Sequence, residues 1–123
     1  MIKGYKCFNK NLINRYGMSF EVGMTYSVDG DIHFGNNGNG FHMCTNLEDT
    51  LRYFDGFNTE IDICEVIGSG NFVLFEDNYY GYYDMYSVEK IKIIKRLSRE
   101  EIINIILNSY EFDGMQVTML GGS

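Results

Sequence analysis

The chain has 123 residues, enough for one domain that buries roughly two thirds of the surface its unfolded chain exposes. Hydrophobic residues make up 45% and charged residues 22%, which is ordinary for a globular domain, and the net charge is −7. An acidic chain without a basic cluster is poorly suited to bind nucleic acid or an anionic membrane surface, so neither is expected as a partner. The sequence predicts a single domain over residues 1–123, in which residues 112–123 form a terminal strand or an arm.

Cysteine and histidine spacing gives no sign of a disulfide framework or a metal centre. Cys7, Cys44 and Cys64 contain no CxxC pair, and His33 and His42 have no metal-ligand spacing. The first residues lack the apolar core of a signal peptide, and no apolar run reaches the length of a membrane span. We therefore expect a cytoplasmic protein with reduced thiols.

The first third of the chain predicts several short strands. Lys3–Phe8 and Met18–Val22 alternate in polarity, as strands with one buried face do. Thr25–Val28 and Asp31–Phe34 flank Asp29-Gly30, a dipeptide typical of two-residue hairpin turns. This part of the chain therefore predicts two strands followed by a β-hairpin.

A loop of glycine and asparagine then leads into a predicted strand–helix unit. Phe41–Cys44 alternates apolar side chains with a histidine and a cysteine, which predicts a strand. Two helix caps fit the residues that follow: Thr45 with Glu48, or Asn46 with Asp49. The face of this helix expected to be buried carries Leu47, Leu51 and Phe54.

Three further strands are predicted in the second half of the chain. Glu60–Ile67 is apolar on both faces, as a central strand is. Gly68-Ser69-Gly70 predicts a turn, after which Phe72–Phe75 forms another strand. Val88–Lys95 alternates inward isoleucines with outward lysines.

The end of the chain predicts a second helix and a terminal strand. Ser98 and Glu101 fit a capping box, with Leu97 and Ile102 at the staple positions. The helix is apolar on more than one face, and Met115–Met119 alternates like an edge strand. These two features favour a homo-oligomer, unless the helix is covered by the domain's own sheet.

The order of these elements predicts an α+β domain with a mostly antiparallel twisted sheet, about seven or eight strands and two helices.

Tyrosines offer candidate partner-binding residues. An acidic stretch without basic residues holds several of them, and tyrosine is favoured at recognition surfaces because its large ring has few rotors. The alternative is that they pack across a sheet. The candidate residues are Tyr53, Tyr79, Tyr80, Tyr82 and Tyr83.

A cysteine nucleophile is not favoured by the spacing. His42 and Cys44 leave the same face of a strand, but such residues lie about 6–7 Å apart, which is too far for direct proton transfer. The chain also has no P-loop, G-x-S-x-G or Rossmann glycine fingerprint.

Tyr16–Tyr26 and Gly40–Asn46 resemble a family of small uncharacterised domains of phages, prophages and large DNA viruses. That family has the segments GF-x-[YF]-E-V-G-x-T-Y and G-F-H-x-C-x-N, then a strand ending in E-V and a late K-I-x-I-I-K-x-L strand. Glu65-Val66 and Lys90–Leu97 match the last two pieces, whereas Leu47 stands where the family usually has proline. The resemblance covers roughly residues 3–107 and implies no activity.

Gly38–Cys44 is similar, more distantly, to the G-x-G-[VI]-Y-F-[AS] strand of polymerase-type ADP-ribosyltransferases. This resemblance implies a split antiparallel sheet, NAD as the cofactor and three catalytic positions. Glu89 matches the glutamate that polarises the ribose, His42 stands in the place of the tyrosine that stacks on nicotinamide, and Tyr5 or Lys6 stands in the histidine's place.

Three functional hypotheses follow. The first is a phage- or virus-type accessory protein that binds a host or viral protein partner, in the host cytoplasm if viral. The second is an ADP-ribosyltransferase-like or NAD-cleaving enzyme with His42, Glu89 and Tyr5 as its catalytic residues. The third is an oligomeric structural component.

Overall fold

The computed structural model describes residues 1–14, 16–35, 38–53, 60–75 and 85–109, and the structural statements below concern these residues. In chain order the elements are β1 (Ile2–Asn9), β2 (Thr25–Ser27), β3 (Phe41–Cys44), α1 (Leu47–Tyr53), β4 (Ile61–Leu74), β5 (Met85–Arg96) and α2 (Arg99–Ser109). The α+β class with an antiparallel sheet and two helices is confirmed. The described residues contain five strands rather than seven or eight, because two predicted strands are irregular and two others are one continuous strand.

All strand pairs in the sheet are antiparallel, and four of them close into a ring. β1 pairs with β3 and β4, and β5 pairs with the same two strands, while β2 extends the edge of β5 beyond β3. β4 has neighbours on both sides over Cys64–Gly68, which confirms the predicted central strand.

Alternation along the strands separates an inner core from an outer one. The inner cluster includes Phe8 of β1, Val66 of β4 and Ile91 of β5, each with at most 1% of its surface exposed. The outer cluster forms where α2 packs on the other face of β1 and β4, and includes Ile63 and Ile102. The inward direction of the isoleucines in β5 is therefore confirmed.

β1 and β3 are the least regularly joined neighbours in the ring. Their ladder register is given by a single pair, Tyr5 opposite Cys44. Beside that pair the Lys6 ammonium donates a hydrogen bond of 2.8 Å to the backbone carbonyl of His42. The Lys6 side chain thus joins the two strands where a regular ladder would use a backbone N–H.

The turn predicted at Gly68-Ser69-Gly70 is wrong, because β4 continues through it. The pairing with β5 shifts register between Ser69 and Phe72, which is a β-bulge. Gly70 has φ +77°, a left-handed conformation that glycine adopts without strain. The segment Gly68-Ser69-Gly70 is compatible with a turn or with a bulge. Here it forms a bulge, because pairing with the long strand β5 continues on both sides of it.

Two further predictions in the first third of the chain are wrong. Met18–Val22 forms only an isolated bridge, at Ser19, and of its apolar residues only Phe20 is buried. Asp31–Phe34 is not a hairpin strand either, since β2 pairs with β5 and the Asn39 amide group donates to the Asp29 and Asp31 carbonyls. These side-chain bonds fix a loop where a hairpin ladder was expected.

The helix caps are as the sequence allows. For α1 the capping residue is Asn46, as in the second alternative, and its side chain accepts a 2.7 Å hydrogen bond from the Glu48 N–H rather than from the N–H of Asp49 that a capping box would use. For α2 the capping box is confirmed: the Glu101 N–H donates to Ser98 Oγ, and the Ser98 N–H donates to Glu101 Oε1. Leu97 and Ile102, the predicted staple, lie in one cluster.

Candidate functional site

The last third of β4 has a neighbouring strand on one side only. β1 pairs with β4 from Asn9 opposite Ile61 to Ile2 opposite Gly68, and there it stops. β5 pairs with β4 as far as Leu74. Residues 71–74 therefore have an edge that no described strand covers, and we call this stretch the open edge.

The pairing with β5 determines which backbone groups face outward at the open edge. The Phe75 N–H donates to the Met85 carbonyl at 2.8 Å, so this is a hydrogen-bonded pair. Because such pairs alternate along an antiparallel ladder, Val73 is bonded to β5, and the N–H and C=O of Phe72 and Leu74 point away from it. Two donors and two acceptors are thus presented at the spacing that an added strand would use.

From Phe72 to Leu74 the side chains of the open edge are apolar on both faces. Phe72 is 56% exposed, Val73 36% and Leu74 38%, and none of the three carries a charge. Natural edge strands are usually blunted by lysine, proline or short length. Three consecutive exposed apolar residues, with no such protection among the described residues, make this edge a candidate contact surface.

A shallow groove of about 530 Å³ runs along the start of the open edge. Its lining residues are Asp31, Ile32, Gly70, Asn71, Phe72 and Val73. The side with Asp31 belongs to the loop clamped by Asn39, whose amide group lies 2.6 Å from the Asp29 carbonyl oxygen and 3.0 Å from that of Asp31. The groove therefore has one wall from β4 and one from a loop tied down by hydrogen bonds.

Glu89, predicted as a catalytic glutamate, holds the bulge next to this groove. Its Oε1 accepts a hydrogen bond of 2.9 Å from the Asn71 N–H. A methyl group on Gly70 would come within 2.5 Å of the same oxygen. The carboxylate and the glycine thus fix the point at which β4 leaves β1 and becomes the open edge.

The other two predicted catalytic residues, Tyr5 and His42, line one small crevice between β1, β3, β5 and α1. Its cavity volume is about 20 Å³, which is room for about one water molecule, and Lys6, Cys44 and Thr50 also contribute to its walls. The His42 ring packs beside Phe34, with the ring centroids 5.0 Å apart. The structure therefore brings Tyr5 and His42 to one cavity and places the Glu89 carboxylate at the bulge.

Tyr5 also borders two larger surface cavities. One lies along β1 and β4 and includes Lys3 and Glu65, and the other lies between the start of α1 and α2. Burial, and secondarily the negative charge of Glu65, raises the pKa of the Tyr5 phenol. Tyr5 is thus a neutral hydroxyl at neutral pH, able to donate a hydrogen bond to a ligand.

The thiols of Cys7 and Cys64 are not built as nucleophiles. Burial raises the pKa of each to about 12, so almost none of either is thiolate near pH 7. Cys44 is buried as well and lines the Tyr5 crevice together with His42. None of the three cysteines forms a disulfide with another described residue.

The tyrosine surface lies mostly outside the described residues. Tyr79, Tyr80, Tyr82 and Tyr83 fall there, and so do the predicted Met115–Met119 strand and Phe54. Tyr53 ends α1, and its side chain is also outside the description.

The described part of the chain contains no group of three or more histidine, cysteine or acidic residues that could hold a metal ion. None of its helices is both long and apolar enough to span a membrane.

The residues of the open edge were predicted as a strand but not as a site. Their exposure depends on where β1 begins relative to β4, which is a long-range relationship. The sequence does contain one local indication of the site. Phe72, Val73 and Leu74 are three apolar residues in succession, whereas a half-buried strand would alternate apolar and polar residues.

Comparison with known proteins gives a family without an assigned activity. The model of a domain of unknown function, DUF7666, matches residues 2–105. No curated protein and no solved structure matches the chain.

Proposed function

We propose that this chain, which belongs to the family of the domain of unknown function DUF7666, binds a protein partner by accepting an extended segment as an added strand at the open edge. The family has no assigned activity, so the proposal is argued from the geometry of the chain. The observation that carries the proposal is the outward direction of the backbone groups of Phe72 and Leu74 beyond the end of β1.

The apolar side chains supply the second part of the support. A segment that pairs with Phe72 and Leu74 places its own side chains beside Phe72 on one face and Val73 on the other. Burying this exposed apolar surface contributes roughly 25 cal/mol per Å² removed from water, while the backbone bonds set the register. The phage or viral setting and the cytoplasmic location stay part of this proposal, as does the host or viral origin of the partner.

The bulge held by Glu89 gives the edge its fixed geometry. Bulges re-aim a strand, and here the bulge lies between the portion of β4 that pairs with β1 and the portion that is open. A partner therefore meets a preformed edge on a strand already paired with β5, which reduces the entropy lost on binding.

Proline substitution at Leu74 tests the proposal with little effect on the fold. The Leu74 N–H points to the open edge, so Leu74→Pro removes a donor to the partner without removing a bond to β5. Leu74→Ala is the matched control, because it shortens the side chain and keeps the N–H. The probe is the fluorescein-labelled peptide Lys-Val-Thr-Val-Thr-Val-Lys, and binding is followed by fluorescence anisotropy.

We expect the wild type and Leu74→Ala to bind this peptide and Leu74→Pro to bind it about tenfold more weakly, from the lost hydrogen bond and the bulk of the ring. Circular dichroism and urea unfolding establish that the proline variant is folded. Equal affinities of the two variants would contradict strand addition, and so would failure of the wild type to bind.

A second candidate function comes from the resemblance to ADP-ribosyltransferases, with Tyr5 and His42 at one crevice that must widen to admit a nucleotide and Glu89 at the bulge. It is binding or cleavage of NAD or a related nucleotide, in line with the resemblance to ADP-ribosyltransferases. Thermal unfolding with NAD and with ADP-ribose tests it, since a ligand that binds only the native state raises the melting temperature. Any NAD turnover should fall at least about a hundredfold in Glu89→Gln if that carboxylate stabilises the developing ribose charge. Unchanged melting with both ligands and no turnover would remove this candidate.

A homo-oligomer is the third candidate, and the open edge gives it a specific form. Two copies could pair their open edges antiparallel, because the same groups of Phe72 and Leu74 are presented by each. Light scattering of the wild type and Leu74→Pro separates this case from partner binding. A dimer that becomes a monomer in the proline variant would assign the edge to self-association.

A further inference from the structure

Among the described residues that line the groove beside the open edge, one is charged. That residue is Asp31, and the other five are uncharged: Ile32, Gly70, Asn71, Phe72 and Val73. Asp31 is exposed, so its carboxylate is available to solvent and to an incoming side chain. The groove therefore combines a largely apolar wall on β4 with the Asp31 carboxylate on the opposite wall, while the nearby Glu89 carboxylate accepts the hydrogen bond from the Asn71 N–H.

The backbone that carries Asp31 is held in place before any partner arrives. Asn39 donates to the carbonyls of Asp29 and Asp31, and His33 and Asn39 exchange two backbone hydrogen bonds of 3.0 and 2.9 Å. Gly30, between the two aspartates, has φ +89°, which fits the turn without strain. The negative charge is thus fixed near one end of the open edge, next to Gly70 and Asn71.

We infer that the segment bound at the open edge carries a lysine or arginine at the end that lies beside Gly70, where its cation meets Asp31. The inference rests on the proposed function, since it names the chemistry of the segment that the open edge accepts. Charge complementarity supports it twice, through Asp31 in the groove and through the net charge of −7, which favours approach of a basic segment. An acidic segment would meet repulsion at the same place.

The remainder of the segment is specified by the edge itself. Beyond the basic residue, the positions that face Phe72 and Val73 take apolar or β-branched side chains, because both faces of the open edge are apolar. The partner is therefore a protein segment that reads as a short β-branched strand with a basic residue at one end. A second copy of the same kind of edge does not meet this description, since residues 70–75 carry no positive charge.

Three peptides that differ only in their end residues test the inference. Lys-Val-Thr-Val-Thr-Val-Lys, Gln-Val-Thr-Val-Thr-Val-Gln and Glu-Val-Thr-Val-Thr-Val-Glu place the same charge at both ends, so one end reaches Asp31 in either strand direction. They are titrated into the full chain and into Asp31→Asn. Glu100→Gln, at an exposed position on α2, is the control because it changes the net charge equally without touching the groove.

We expect the lysine peptide to bind the wild type about fivefold more tightly than the glutamate peptide at low salt, an effect of the size that a partly exposed ion pair gives. The preference should persist in Glu100→Gln, fall in Asp31→Asn to the small part that the net charge supplies, and shrink at 0.5 M NaCl. Asp31→Asn keeps the backbone carbonyl to which Asn39 donates, so the loop should stay in place.

The outcomes for the inference and for the proposed function differ. If all three peptides bind alike and Leu74→Pro weakens each of them, strand addition stands and the charge preference is refuted. If the preference in Asp31→Asn is as large as in Glu100→Gln, the charge acts from elsewhere and the assignment to Asp31 is refuted. If no peptide binds the wild type, the proposed function fails and the inference fails with it.

Discussion

The Glu89 carboxylate accepts a hydrogen bond from the backbone N–H of Asn71 at 2.9 Å, across the bulge of β4. The side chain that the transferase resemblance offers as catalytic therefore has a structural partner. It satisfies a bulge N–H that the ladder with β5 leaves unpaired. This bond fixes the point from which the open edge departs, so it connects the fold to the proposed binding site.

Removing the Glu89 acceptor should lower stability modestly. Glu89→Ala leaves the Asn71 N–H to water, and because this bond is exposed we expect a loss of about 1 kcal/mol in the free energy of unfolding. Glu89→Gln keeps a carbonyl oxygen at the same place and is the control, with a smaller loss. Urea unfolding of the two variants measures the difference, and identical midpoints would show that the bond does not hold the bulge.

The Ser98 cap should contribute to the stability of α2. Ser98→Ala removes the Oγ that accepts from the Glu101 N–H, at an expected cost of about 1 kcal/mol. Asn104→Ala, an exposed position inside the same helix, is the control and should not destabilise the protein. A urea midpoint of Ser98→Ala equal to that of the wild type would mean that the cap does not contribute to the free energy of unfolding.

Lys6 should matter through its bond to β3 rather than through its charge. Lys6→Met keeps most of the aliphatic stem but leaves the His42 carbonyl without the ammonium, which should cost about 1 kcal/mol. Lys3→Met on the same strand removes an equal charge at an exposed position and should cost less. The two variants are compared by thermal unfolding; equal melting temperatures would refute a specific role for Lys6.

Stability should fall in alkaline solution because of the buried thiols. The pKa of Cys7 and of Cys64 is raised by burial from 9.0 to about 12, so the folded state holds these protons more tightly than the unfolded state. The stabilisation is complete below pH 9 and is lost as the pH rises from 9 to about 12. Free energies of unfolding at several pH values in this window measure the slope.

Cysteine variants separate the thiols from the other groups that titrate in the same range. Cys7→Ala and Cys64→Ala should each show a shallower alkaline slope than the wild type, whatever their stability at pH 7. An unchanged slope in both would show that the thiols ionise alike in the folded and unfolded states. Alkylation should modify three thiols after unfolding and leave the two with raised pKa unmodified in the native protein at pH 8.

Local chemistry in the sequence was enough to predict much of the fold. The capping box at Ser98 is a short-range pattern with a definite geometry, and it is formed as predicted. The inward isoleucines of β5 follow from strand alternation in the same way. The hairpin predicted at Asp29-Gly30 does not form. Its ladder is replaced by hydrogen bonds from the side chain of Asn39, which lies ten residues after Asp29, and local sequence rules do not anticipate a bond over that distance.

The site was less predictable than the fold because it depends on relations between distant segments. Phe72 and Leu74 present their backbone groups only because β1 stops opposite Gly68 and the bulge follows at Gly70. Tyr5 and His42 were predicted to act together, and they do share a crevice. Their catalytic assignment, with that of Glu89, stays a prediction.

Amide hydrogen exchange at the open edge, followed by nuclear magnetic resonance, tests the central claim most directly. In the free protein the Phe72 and Leu74 amides should exchange quickly, whereas the Val73 and Phe75 amides, bonded to β5, should exchange slowly. Saturating Lys-Val-Thr-Val-Thr-Val-Lys should slow exchange at Phe72 and Leu74 and leave Val73 and Phe75 unchanged. Amides of Phe72 and Leu74 that are already protected in the free protein, or that exchange equally fast with the peptide bound, would contradict strand addition at this edge.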